Sequence, residues 1–327
     1  MPIKLKNLSV KQKYKDINPI QLKRLKLLDT KNILCSDLRN LICNFKFCID
    51  YQEISNLRNN INNNLHNVNK VLKIINNFIK HTIKLVVNLA AQAGVRYSLK
   101  NPHAYFESNL LGFGNILELS RKFKVKHLVY ASSSSVYGLN KKIPFCESDH
   151  VDKPSQVYAA TKRSNELMAF SYSNLYNLPT TGIRFFTIYG PWGRPDMSIF
   201  LFTEKILSGK KLDLFDRGNN KRDFTYIEDV KKLLFKVIFS PPKKKIPHEI
   251  YNIGRGRNYK IKEMIKFLEI YLGKNAKIKF SKHKKEDLKI TIANNKKIMN
   301  KFNYKNFTSL ENGIKSFVQW YKKYYLL

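Results

Sequence analysis

Tyr158 and Lys162 are the first pair in this 327-residue chain whose types and spacing suggest chemistry. Residues four apart on a helix share a face. An ammonium beside a phenol favours the phenolate, so the spacing predicts a tyrosine made acidic by its lysine. The pattern alone says little, because Tyr137 and Lys141 repeat it, with Gly138 and Pro144 placing them in a loop. Only the later pair has a helical context, opened by Pro154-Ser155 and stopped by Pro179. Upstream, Ser132 to Ser135 follow a β-rich run and precede Val136-Tyr137-Gly138. That order puts the serines at the carboxyl end of a strand, where α/β sheets bind ligands. Alone they read as a polar loop; with the tyrosine and lysine they make a candidate proton-relay triad.

The elements that must position these groups alternate from about residue 80 onward. Strands are expected at 84–89, 126–131, 180–186 and 249–253, and helices at 109–122, 155–176, 199–207 and 227–238. Such alternation predicts a mostly parallel sheet covered on both faces. The segments shorten after residue 186, so residues 1–186 are expected to form a nucleotide-binding part and 187–327 a smaller, mainly substrate-holding α/β part. The first 80 residues break the pattern. A doubly wound nucleotide-binding fold opens with a strand, a glycine-rich turn and a helix, because that turn lets backbone approach a pyrophosphate. Here the first glycine is Gly94, so the first βαβ unit reads as incomplete.

Composition bounds the function. Apolar residues make up 43% and aromatic residues 13%, enough for a core, which excludes a disordered chain. Lys+Arg 60 against Asp+Glu 24 gives +36, a charge that suits polyanions. The lysines are scattered, however, and accompanied by Asn and Ile, as in 59–64, 76–77 and 294–295. All three residue types share A/T-rich codons, so a solvated, coding-biased surface is expected rather than a specific nucleic-acid site. No run reaches roughly 18 apolar residues, and residues 1–13 carry no apolar signal core, so a cytoplasmic protein without membrane spans is expected. Cys35, Cys43, Cys48 and Cys146 have neither zinc nor redox-pair spacing, and His81, His103 and His248 have no metal-ligand spacing; no metal is expected.

Five runs carry a resemblance: Asn88 to Tyr97 (NLAAQAGVRY), Tyr130 to Gly138 (YASSSSVYG), Tyr158 to Lys162 (YAATK), Arg184 to Met197 (RFFTIYGPWGRPDM) and Lys221 to Asp229 (KRDFTYIED). Together they resemble the extended short-chain dehydrogenase/reductase family, the NAD-dependent epimerases and dehydratases, and within it the UDP-glucuronate 4-epimerases. The resemblance is dense over about 80–260 and looser over Ser309 to Tyr324. It implies a Rossmann-type doubly wound α/β fold, NAD as cofactor, a UDP-sugar substrate and a homodimer built on a helix pair that includes the Tyr158 helix. Ser133, Tyr158 and Lys162 would be catalytic, with Tyr158 taking the proton of the sugar 4-hydroxyl and Lys162 holding the nicotinamide ribose. Ala90, Ala91, Gln92 and Asn109 match positions along the NAD cleft, and Asp50 the position touching adenine. Arg222 resembles the arginine on the substrate diphosphate. Thr187 and Arg194 match residues near the sugar, where an arginine can grip a uronate carboxylate on two oxygens; Arg96 adds charge to the same wall.

Ser134 and Ser135 stand where related dehydratases carry an Asp-Glu pair and the decarboxylases a Glu at the second position. Without those carboxylates, dehydration and decarboxylation lose their proton carriers, and simple epimerisation is left. The implied function is therefore UDP-glucuronate to UDP-galacturonate epimerisation for surface polysaccharide synthesis. Epimerisation of a neutral or N-acetylated UDP-hexose, and a non-catalytic remnant of such an enzyme, are the alternatives. Departures from the family are the absent GxxGxxG turn, which makes the chain read as starting 30–40 residues late, Asn88 for the usual histidine, and Lys285 to Leu288 in place of a PGDV-like motif.

Overall fold

Leu128, Val129 and Tyr130 send successive side chains to opposite faces of one strand, yet each is at most 1% exposed. That is the mark of a sheet covered on both sides. In the computed structural model, which describes residues 83–95, 97–281 and 289–326, all within one compact unit, this strand is β2 (His127–Ser133). It pairs in parallel with β1 (Leu85–Asn88) and β3 (Thr180–Phe185), and β3 pairs in parallel with β8 (His248–Ile253). The order β1-β2-β3-β8 makes a four-stranded parallel sheet among the described residues.

One face packs Leu128 and Tyr130 against Phe113 and Leu117 of α1 (Gly112–Lys122) and Ala169 of α2 (Val157–Tyr176). The other packs Val129, Ile183 and Ile253 against Val230, Leu233 and Val237 of α4 (Ile227–Ile238) and Ile298 of α6 (Lys296–Phe302). The helix α2 begins after extended Gln156 and ends at Asn177, which takes the left-handed conformation at φ 53° two residues before Pro179. This is the stop expected when a helix meets a residue tolerant of that region and then a proline.

A separate apolar core joins β4 (Thr187–Tyr189), α3 (Ser198–Leu207), β5 (Lys211–Phe215), β7 (Phe224–Tyr226), β9 (Tyr259–Lys260), α5 (Ile261–Leu272) and α7 (Leu310–Tyr324), while the short strands β6 (Lys221–Arg222) and β10 (Lys277–Ser281) add no residue to it. Strands β4 and β7 pair in parallel, as do β5 and β10, while β6 and β9 run antiparallel. The expected division at residue 186 is thus interleaved, because α4 and β8 lie beyond it in sequence but complete the first sheet and its far layer. A long crossover between parallel strands leaves no local trace of which sheet its last strand will join. The expected strands and helices are otherwise present; the helix expected from 109 begins with a π-helical turn, Phe106–Leu111. Cys35, Cys43, Cys48, His81 and Lys285 to Leu288 lie outside the described residues.

The helix α7 approaches β4 closely enough to require a glycine. A Cβ on Gly313 would stand 2.0 Å from the Tyr189 hydroxyl oxygen. Replacing Gly313 by Ala therefore forces Tyr189 or the helix to shift, at a cost of about 1–3 kcal/mol. Urea unfolding of Gly313→Ala is expected to show that loss as a lower midpoint at unchanged slope.

Candidate active site

At its carboxyl end β2 delivers Ser132 and Ser133, followed by a 3₁₀ turn, Ser134–Tyr137. Ser133 caps that turn by accepting a hydrogen bond from the Ser135 amide at 3.2 Å. The helix α2 crosses beside it and presents Tyr158, Lys162 and Glu166 at intervals of four on one buried stripe. Ser133, Tyr158 and Lys162 all line a cavity of about 1170 Å³ at the carboxyl ends of the parallel strands. That volume exceeds the roughly 300–1000 Å³ common for one small ligand.

Burial raises the Tyr158 phenol above its ordinary value, and the nearby Ser133 hydroxyl and the charge of Arg194 act against the rise. The Lys162 ammonium turns to the Ala131 carbonyl, to which it donates at 2.8 Å. Its own burial, 3% exposed, brings it down to about 8. Among the described residues, the positive charge of Arg194 acts on the phenol. The T-shaped ring of Tyr105, with centroids 6.2 Å apart, packs against Tyr158 from the opposite side.

Behind the site lies a buried polar clamp that the sequence reading missed. Arg184 on β3 grips Glu166 through Nε at 2.8 Å and Nη2 at 2.9 Å, and Ser132 donates to Glu166 at 2.6 Å. Burial works to raise the Glu166 carboxyl, but the hydrogen bond and charge of Arg184, with Ser132 and Arg163, hold it below the usual range. Arg184 also donates to Tyr137, whose hydroxyl donates to Asn252 on β8.

The other expected residues divide. Ala91, Ser134, Ser135, Thr187, Arg194 and Arg222 line the cavity. Ala90, Gln92 and Asn109 do not. Asn109 is a buried brace rather than a lining group: it accepts from the Gln92 amide at 2.8 Å and donates to the Gln92 carbonyl and to Thr161, 3.0 Å each. Asn165 of α2 donates to its carbonyl in turn, at 2.6 Å. Asp50 and Arg96 lie outside the described residues. Arg194 is held by Asp196 through two hydrogen bonds of 2.9 and 2.8 Å, which raise the guanidinium and lower the carboxyl.

The Arg222 wall is braced by its neighbour Asp223, which is fully buried. It accepts from the amides of Arg255, Gly256 and Ala293 at 2.8, 2.9 and 3.0 Å. Cavity residues without a motif to announce them include Lys100, Lys205, Phe215 and Asn220. The acidic members of the lining are Asp196, paired with Arg194, and Asp213, paired with Lys205 at 3.3 Å. The described residues hold no cluster of His, Cys, Asp and Glu fit for a metal ion.

Burying Lys162 disfavours its charged form in the folded chain, so between about pH 8 and the unfolded value near 10.4 the unfolded state binds more protons. Stability contributed by this group is therefore fully present above the unfolded value and is lost as pH falls through about 8. Urea unfolding across pH 7–10.5 is expected to show the unsubstituted chain gaining on Lys162→Met as pH rises through that window. A constant difference would contradict it.

Comparisons with known proteins agree with this geometry. Residues 51–254 match the NAD dependent epimerase/dehydratase family. Protein CapI of Staphylococcus aureus is 45% identical over 262 residues, covering 76% of this chain and 78% of that protein. A probable UDP-glucuronate 4-epimerase of Rhizobium meliloti is 40% identical, covering 74% and 75%. The crystal structure of UDP-glucuronic acid 4-epimerase from Bacillus cereus, in complex with UDP-glucuronic acid and NAD, superposes with a TM-score of 0.68 at 32% identity over 72% of this chain and 74% of that one. The chain belongs to the NAD dependent epimerase/dehydratase family, and its sheet is of the Rossmann type.

Proposed function

We propose that this chain inverts carbon 4 of a UDP-sugar with NAD as cofactor, converting UDP-glucuronate to UDP-galacturonate for surface polysaccharide synthesis. One observation carries the reading: Ser133 and Tyr158 line a cavity that also holds Arg194, and the acidic side chains of its described lining are already paired. A uronate carboxylate has a guanidinium to meet, and eliminating water has no unengaged carboxylate to carry its protons. Ser134 and Ser135, at the mouth of the same turn, supply hydroxyls only.

The nicotinamide end of NAD fits these residues. Lys162 is desolvated and has N–H groups beyond the one given to Ala131, and Ala91 offers a small wall against which a flat ring can lie. Lys162, Tyr158 and Ala91 would hold that end. When bound, NAD supplies the acceptor and donor of hydride at the carbon whose hydroxyl meets Tyr158. Tyr158, as its phenolate, takes the proton from the sugar 4-hydroxyl and, as the phenol so formed, returns it. The Ser133 hydroxyl lowers the phenol and so favours the phenolate, as does the positive charge of Arg194. Arg222, Lys205 and Lys100 give the cavity a positive wall suited to a nucleoside diphosphate.

In this reading residues 187–327 mainly hold the UDP-sugar, since Arg194, Lys205, Phe215 and Arg222 reach the cavity from that side. Two chains associate through α2, whose Leu167, Phe170 and Leu175 are 53%, 46% and 68% exposed. No described helix is long and apolar enough to cross a membrane, and a cytoplasmic site of action is part of the proposal.

Purified protein with UDP-glucuronate and NAD is expected to yield the 4-epimer. Tyr158→Phe should lower the rate by about 10²-fold or more, as loss of a positioned proton carrier does. Unchanged turnover in that variant would overturn the mechanism.

A further inference from the structure

Trp192 is 73% exposed and adopts φ 61°, a left-handed conformation that a bulky residue takes only when its surroundings hold it there. Burial does not explain it, but its contacts do. Its ring lies 5.3 Å from Trp320 and 4.9 Å from Tyr324, both on α7, and those two rings stack on each other at 5.3 Å. Next in sequence, Gly193 lies so close to Phe200 that a Cβ there would stand 2.9 Å from its ring. Phe200 in turn packs against Trp320, centroids 5.9 Å apart. The loop after β4 is thus fastened to α7 and α3 by consecutive residues, and Arg194 comes immediately afterwards, facing the cavity. Asp196 engages the Nε and Nη2 side of its guanidinium, which leaves the Nη1 edge presented for a second carboxylate.

We propose that Trp192 is a positioning residue for substrate selectivity: seated on Trp320 and Tyr324, it fixes the loop that aims Arg194 at the cavity, and so favours a UDP-sugar bearing a carboxylate over a neutral one. This rests on the function proposed above, with Arg194 as the carboxylate grip. Trp192 itself touches neither the cavity nor the reacting atoms; its effect passes through the backbone to a residue two positions on. An aromatic cluster serving only to stabilise the fold would weaken both ligands alike.

The test is calorimetric titration of UDP-glucuronate and UDP-glucose into the NAD-loaded protein, with steady-state kinetics on both, for the unsubstituted chain, Trp192→Ala, Trp192→Phe and Arg194→Ala. Trp192→Ala is expected to weaken UDP-glucuronate binding about tenfold, the size of a lost charge-assisted contact, and UDP-glucose less than about twofold. KM for UDP-glucuronate should rise more than KM for UDP-glucose, while a fall in kcat from the displaced Arg194 charge should be shared by both sugars, and Trp192→Phe, which keeps a ring on Trp320, should recover most of the selectivity. Arg194→Ala separates the two ideas. If it removes selectivity and Trp192→Ala does not, the positioning role is overturned and the carboxylate grip stands. If Arg194→Ala leaves selectivity intact, the grip fails and the positioning role fails with it. Equal weakening of both ligands in Trp192→Ala also overturns the proposal.

Discussion

A buried ion pair sets the frame for everything catalytic in this chain. Glu166 and Arg184 meet with side chains 1% and 3% exposed, and between them they join α2 to β3, while Ser132 ties in the end of β2. Charges so deeply placed are tolerated only where their partners are complete, and removing one partner of such a pair costs about 3–5 kcal/mol. Here they are complete: both carboxylate oxygens are occupied and the guanidinium continues to Tyr137. Glu166 lies two helical turns beyond Tyr158, and Ser132 precedes Ser133. The clamp therefore ties the helix that carries Tyr158 to the strand end that carries Ser133. The stripe of α2 that faces the clamp is accordingly polar, with Lys162, Asn165 and Glu166 all buried.

Two more buried hubs work in the same manner on the cavity walls. Asn109 fastens the loop after β1 to α2 through Gln92, Thr161 and Asn165. Asp223 gathers the amides of two loops under the strand that carries Arg222. Burial raises this carboxyl, and the gathered amides pull it back. Each hub satisfies backbone groups that irregular segments would otherwise leave bare. The walls of the cavity are loops held by polar anchors, and the floor is the strand ends of a sheet held by apolar faces.

Much of this was readable before any coordinates. Tyr158 and Lys162 carried a helical spacing, and the serines followed a β-rich run; the fold brings Ser133, Tyr158 and Lys162 to one cavity. The parallel sheet was readable because period and punctuation are local. The clamp was not, because Glu166 and Arg184 stand eighteen residues apart with no spacing rule to pair them. Asn109 was recognised by position, but its bonds to Gln92, Thr161 and Asn165 were not, since a sequence match shows where a residue sits and not which of its neighbours it bonds. Lys162 was placed on the right face, but its carbonyl partner on β2 is thirty-one residues away, and that contact decides where its charge goes. The membership of β8 in the first sheet likewise depends on a long connection rather than on its own residues.

The aromatic seat of the Arg194 loop has an optical consequence. The chain contains only two tryptophans, and they lie 5.3 Å apart on the same side of the second core. Indole emission therefore samples that core alone, whereas the amide circular dichroism signal averages over the parallel sheet and its helices as well. Unfolding traces from the two probes would coincide only if both cores melt together, so their superposition or separation measures directly how cooperatively the sheet and the loop-bearing half are joined.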